Sequence, residues 1–219
     1  MKLNQTTLNV LKNYASINQG LRIKGGENTV STISPLKTLL SRATVPDVFP
    51  NTFCIYDLHR FLSVISMFKE PELEFTDSAI IVKGENQQVT YRFCDEKVIV
   101  SAPENEIKFP EPEISFALTQ DAILSVIKAA GILQLPEIAL VGEDGKLYLR
   151  AVNSKDVGSD QFNEQIGQTS LQFTAIFKPE YFSKLLPGDY NVDISSKKIS
   201  RFTGPNIVYW IATESSSTF

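Results

Sequence analysis

Leu8, Leu11, Tyr14, Ala15 and Ile17 recur at helical spacing, with Asn9, Lys12, Asn13 and Ser16 between them and Gly20 as a stop. This predicts a helix over roughly 7–18. GLRIK and NTVSTI read as strands, SPLKTLLSRATVPDVFPN as a looser segment, and TFCIYD as a further strand. Asp57 is placed to cap a second helix, with Leu58, Phe61, Leu62 and Ile65 as its apolar stripe and His59, Arg60, Ser63 and Ser66 as its polar one. Pro71 marks its end. ELEFTD, AIIVKG, QQVTYRFC and KVIVSA, separated by turn residues, predict an antiparallel meander.

The texture then changes. PENEIKFPEPE, residues 103–113, is proline-rich and acidic, too stiff and charged for a strand interior, and reads as an extended linker. Beyond it the order repeats. EISFALT is a strand, and Thr119 opens a helix that turns Ala122, Ile123, Val126, Ile127 and Ala130 inward. EIALVGEDGKLYLRAV is a hairpin whose Asp144-Gly145 pair is a two-residue turn signal. A loop rich in Asn, Ser, Gly and Gln leads to the strand TSLQFTAIF, then to a helix from Pro179 with Phe182, Leu185 and Leu186 inward, stopped by Pro187-Gly188. GDYNVDIS, KKISRFT and NIVYWIATE form a second meander. Strand, helix, strands, helix and meander thus occur twice. The expected class is α+β, with two similar domains, 1–106 and 107–219, each carrying two helices on antiparallel sheet.

Composition adds limits. The chain of 219 residues is 42% hydrophobic and 21% charged, which is globular, and no apolar stretch is long enough for a signal peptide or a membrane span. The expectation is an intracellular protein without membrane association. Cys54 and Cys94 lack CxxC spacing and a nearby histidine, so they read as buried free thiols, with no metal or other cofactor implied. His59 is the single histidine and lies on a helix face, and no nucleophile elbow, phosphate loop or zinc motif accompanies it. Glu111 and Glu113 fall in the linker, where solvent is expected to keep their pKa values ordinary. An enzyme is not expected.

The net charge of −4 conceals an asymmetry. Helix faces and ends carry Lys12, Arg60, Lys69, Lys128, Lys178 and Lys184, against Asp57, Asp121 and Glu180, all at helix starts where a carboxylate offsets the dipole. Strands and loops hold the excess acid. Basic helices without aromatic platforms or base-reading clusters suit phosphate contact without sequence preference.

MKLNQTTLNVLKNYASINQG, CIYDLHRFLSVIS and LLPGDYNVDIS, matching in order with the same succession of elements over essentially the whole chain, resemble the sliding clamps of T-even-type tailed bacteriophages, the DNA polymerase processivity factors. The resemblance implies a DNA clamp fold and a closed homotrimeric ring that encircles duplex DNA in the cytoplasm of the infected host cell. It also implies opening by a clamp loader ATPase, docking of a DNA polymerase C-terminal peptide, and a role with late transcription factors. With the charge pattern, it implies a DNA-facing set of Lys12, Arg60, Lys69, Lys128, Lys178 and Lys184, joined by His59. Lys2, Arg22 and Lys24 are second-rank, their side depending on strand register. For the partner peptide it implies a pocket beside the linker built from Ile107, Phe109 and Pro110, with Tyr209 and Phe219 nearby. The rival expectation is an acidic protein-interaction scaffold that does not touch DNA.

Overall fold

Helix α1 (Gln5–Ile17) begins where the Asn4 side chain accepts the Thr6 backbone N–H, and it ends at an extended Asn18. The computed structural model describes residues 1–156 and 158–219 and divides into two compact units, Met1–Glu106 and Ile107–Phe219.

In the first unit α1 buries Val10, Leu11, Tyr14 and Ala15. The Tyr14 hydroxyl donates to the Val30 carbonyl at 3.1 Å and accepts from Ser41 Oγ at 3.2 Å. Burial pushes the Tyr14 phenol far above its ordinary pKa, so it stays neutral and ties the helix to the hairpin of β2 (Thr29–Ile33) and β3 (Leu39–Thr44). β1 (Leu21–Ile23) pairs with β4 (Phe53–Ile55). Helix α2 (Leu58–Ser66) is capped by Asp57, which accepts the Arg60 N–H at 2.9 Å, and it packs on α1 through a stripe that includes Leu58, Phe61 and Ile65. β5 (Glu72–Phe75), β6 (Ala79–Lys83) and β7 (Gln88–Arg92) follow as an antiparallel meander.

The second unit holds two sheets. β9 (Glu137–Glu143) and β10 (Lys146–Val152) turn at Asp144 and Gly145, both left-handed at φ 50° and 78°, the two-residue turn the Asp-Gly pair predicts. β11 (Phe162–Gln168) and β12 (Phe173–Phe177) complete that sheet in the order β11-β10-β9-β12. Helix α3 (Gln120–Ile132), capped by Thr119, packs on β10 with Ala122, Ile123, Val126 and Ala130 buried. β8 (Ile114–Leu118), β13 (Tyr190–Ser195), β14 (Ile199–Thr203) and β15 (Ile207–Ala212) pair in the order β15-β14-β13-β8. Phe202, fully buried, meets Phe177, Phe182 and Tyr190 edge-on at 6.1, 5.7 and 6.4 Å. Each such pair adds about 0.5–1.5 kcal/mol beyond its area burial. The outer edge of β12 is covered by the tail: Thr218 exchanges two backbone hydrogen bonds with Thr174, Glu214 N donates to Ile176 O, and Ser217 Oγ accepts from Ile176 N.

Several expectations need correction. SPLKTLLSRATVPDVFPN contains the strand β3, whose Ser41 is buried because Tyr14 supplies its partner. The Asn/Ser/Gly/Gln-rich loop contains β11, an edge strand with polar residues on both faces. KVIVSA is not a strand, because the Asp95 carboxylate accepts the Lys97 N–H and starts a 3-10 turn over Glu96–Val98. The fourth helix, α4 (Pro179–Phe182), is a single turn, with Leu185 buried just beyond it. Ile127 and Cys94 are half-buried, whereas Cys54 is buried, with its thiol pushed up to about 11 by desolvation. Glu113 is not an ordinary solvated carboxylate: the Ser196 hydroxyl and backbone N–H donate to it and hold it below its usual pKa.

Candidate nucleic-acid interface

Lys12 lies on the outward side of α1 among Gln5, Thr6, Asn9 and Ser16, a face otherwise uncharged and exposed. His59 and Arg60 are exposed on α2, one turn from Ser63. Lys128 is exposed on α3. The others sit just off the helices: Lys69 is exposed in the turn after α2, Lys178 occupies the N-cap position of α4, and Lys184 is half-buried after α4 with contacts of its own. Asp57 is held below its ordinary pKa, first by the Arg60 backbone N–H and then by the Gln19 side chain and the charges of His59 and Arg60. Its carboxylate is therefore spent on the helix start rather than on the cations.

Ion pairs engage six cations off the helices, while others there, such as Lys37, Arg92 and Lys146, stand outside them among the described residues. Off the helices, Lys2 pairs with Glu70, Arg22 with Glu96 and Glu104, Lys24 with Glu27, Lys83 with Glu74, Arg150 with Glu143, and Arg201 with Asp193. Among the described residues, Lys12, Arg60, Lys69, Lys128 and Lys178 enter none of these pairs. Their charge is available to an external anion without first breaking a carboxylate contact. Lys2, Arg22 and Lys24, the second-rank set, are all engaged.

The linker-side group is brought together only in part. Phe109 lies against the Arg201 guanidinium, 4.7 Å from its ring centroid, and Arg201 in turn is bonded to Asp193, which accepts from Ser115. Ile107 and Pro110 are half-buried. Tyr209 is a correction: it is fully buried, and its hydroxyl accepts the Leu186 N–H at 3.1 Å, so it is a core residue rather than a pocket wall. Strand alternation puts its neighbour Trp210, opposite Arg201 in the register, on the outward face that Arg201 shares. Trp210 is half-buried with its Nε1 shut off from solvent and unbonded, and the sequence reading missed it by one position of a period-two pattern. Phe219 is 42% exposed and follows Thr218, which pairs with β12 in the other sheet of this unit. Among the described residues, no group of three or more His, Cys, Asp or Glu is placed to hold a metal, and no helix is long and apolar enough to cross a membrane.

Comparison with known proteins places this geometry. Residues 2–101 match the family model described as DNA polymerase processivity factor. The chain is 32% identical to the sliding clamp of Vibrio phage KVP40 over 222 residues, covering 98% of this chain and 99% of that one. It is 25% identical to the sliding clamp of Enterobacteria phage T4, covering 100% and 99%. Among solved structures, the A. fulgidus PCNA bound to the C-terminal region of FEN-1 matches with a TM-score of 0.71 at 15% identity, over 96% of each chain. The Helicobacter pylori beta clamp bound to a DNA ligase peptide matches with a TM-score of 0.68 at 13% identity, over 98% of this chain and 65% of that one. With a relative this similar matched from end to end, the chain belongs to the sliding clamps, the non-enzymatic DNA polymerase processivity factors of phage replication.

Proposed function

We propose that three copies of the chain close into a ring around duplex DNA in the cytoplasm of the infected host cell. Each copy contributes two clamp domains, 1–106 and 107–219, joined by the acidic linker around 103–113. A clamp loader opens the ring, the C-terminal peptide of the DNA polymerase docks beside the linker, and late transcription factors use the same ring. The DNA-facing set is Lys12, Arg60, Lys69, Lys128, Lys178 and Lys184, with His59. What carries this reading is the placement of charge: Lys12, Arg60, Lys69, Lys128 and Lys178 stand on or beside the helices, all five outside the ion pairs that engage Lys2, Arg22, Lys24, Lys83, Arg150 and Arg201. Topology holds an encircling ring on DNA, so weak, exchangeable, sequence-blind phosphate contacts are what sliding requires. For the partner peptide the supporting surface is Ile107, Phe109 and Pro110 with Trp210 in place of Tyr209, and with Phe219 as an outlying member. The PCNA and beta clamp neighbours, each seen with a partner's peptide, favour such a surface.

Light scattering over a dilution series tests the ring. A species of three times the 24.4 kDa chain mass that persists on dilution is expected, and a monomer at all concentrations overturns self-closure.

A further inference from the structure

Arg22 and Arg42 stand on β1 and β3 on the side of the strands turned away from α1. Strand alternation establishes this, since Leu21, Ile23 and Ala43 are buried, and Ser41, two residues along from Ala43, is the one that bonds Tyr14 of α1. Across these two arginines runs the first part of the linker. Arg22 Nη1 meets the Glu104 carboxylate at 2.7 Å, and Arg42 Nη2 donates to the carbonyls of Pro103 and Asn105 at 3.4 and 3.2 Å. Arg42 is itself steadied by Ser31 Oγ, which accepts from its Nε at 3.2 Å. Beside the contact lies a pocket of about 230 Å³ that Lys24, Thr29 and Ser31 also line. The two guanidiniums thus read three consecutive residues of a chain that bends at Glu104 and Asn105: one carboxylate and the main-chain carbonyls on either side of it.

The grip is unequal. The Arg22 side chain is only 20% exposed, whereas that of Glu104 is 57% exposed. An exposed carboxylate leaves such a pair at small cost in the presence of salt, but the guanidinium stays behind in a partly desolvated place. Arg22 Nε is closed off from solvent without a hydrogen bond, and the Glu96 carboxylate 3.2 Å away does not align with it. With the linker gone Arg22 would keep only this poorly aligned Glu96 carboxylate, so its Nη1 is left to a replaceable anion.

We propose that Arg22 and Arg42 form a binding site for an acidic peptide of a partner protein, with the linker segment Pro103–Asn105 as its built-in competitor. The bound peptide places a Glu or Asp carboxylate on Arg22 and its two flanking carbonyls on Arg42, and the linker is released as it enters. The occupant is a peptide rather than a nucleic-acid strand because the donors are set for main-chain carbonyls, and because the site faces away from α1 and its Lys12. The inference does not depend on ring closure.

The test is fluorescence anisotropy of a labelled peptide with the chain's own residues 102–107, Ala-Pro-Glu-Asn-Glu-Ile, titrated with the full chain and its variants. Glu104→Gln weakens the built-in competitor and is expected to tighten peptide binding about tenfold. Adding Arg42→Gln to that variant is expected to abolish the gain, and Arg42→Lys, which keeps the charge but loses the fork, to remove most of it. A peptide with both glutamates changed to glutamine is expected not to compete. Binding indifferent to Glu104→Gln overturns the proposal, as does an Arg42→Lys chain, folded by circular dichroism, that binds as before. Displacement of the labelled peptide by duplex DNA or inorganic phosphate as readily as by unlabelled peptide also overturns it, since the site would then read phosphate.

Discussion

Replacing Lys12, Arg60 and Lys128 together by glutamine removes three cations that lie on exposed faces of α1, α2 and α3 and outside every ion pair among the described residues. Glutamine has nearly the helix propensity of the residues it replaces, so the helices are expected to persist. If each cation neutralises one phosphate, the slope of log affinity against log salt shrinks by about 0.9 per residue, or about 2.7 for the three. Between about 50 and 200 mM salt, a fourfold range, that difference corresponds to about 40-fold less loss of duplex binding than the unaltered chain shows. The assay is anisotropy of a labelled duplex across that range, with circular dichroism confirming the fold. Lys24→Gln with Lys83→Gln serves as the control, because those lysines are already held by Glu27 and Glu74. An unchanged slope in the triple variant, or an equal loss in the control, refutes the division of cations into paired and available sets.

Two further outcomes follow from the fold. Phe202→Ala opens a cavity among Phe177, Phe182 and Tyr190 and is expected to cost about 3–5 kcal/mol in urea unfolding, against little for an exposed site such as Leu36; a loss under about 1 kcal/mol would show that the ring cluster is not the core of its unit. Asp57 has a folded pKa below its unfolded value, so its contribution is present above the unfolded pKa and is lost as pH falls through the folded one. Asp57→Asn keeps a capping side chain without the titration, and thermal melts from neutral to acid pH are expected to show a shallower decline for it, with parallel curves counting against the assignment.

Much of the fold was legible because its signals are local. Asn4, Asp57 and Thr119 accept backbone N–H groups within three residues, and the Asp144-Gly145 turn needs only its own φ angles. The failures are long-range. Ser41, Arg42 and Thr44 looked like loop residues because the hydroxyl that satisfies Ser41 comes from Tyr14, and the contact that holds Arg42 comes from the linker. β11 alternates too weakly to be seen, since an edge strand need bury neither face fully. At the candidate interface, exposure of the helix cations could be read from the stripes opposite them. Their freedom from carboxylates could not: Lys2 finds Glu70 and Arg22 finds Glu104 across most of a domain's length of chain. Tyr209 was misassigned because the alternation was known but its phase was not.

The tail that lies along β12 bears on how the molecule keeps in storage and in the cell. Proteolysis after Thr213 would strip cover from Thr174 and Ile176, leaving main-chain donors and acceptors on a hydrophobic border beside Phe173 and Phe177. Such a border recruits strands from other molecules. Half a dozen serine-rich residues, unremarkable as sequence, therefore stand between this subunit and precipitation.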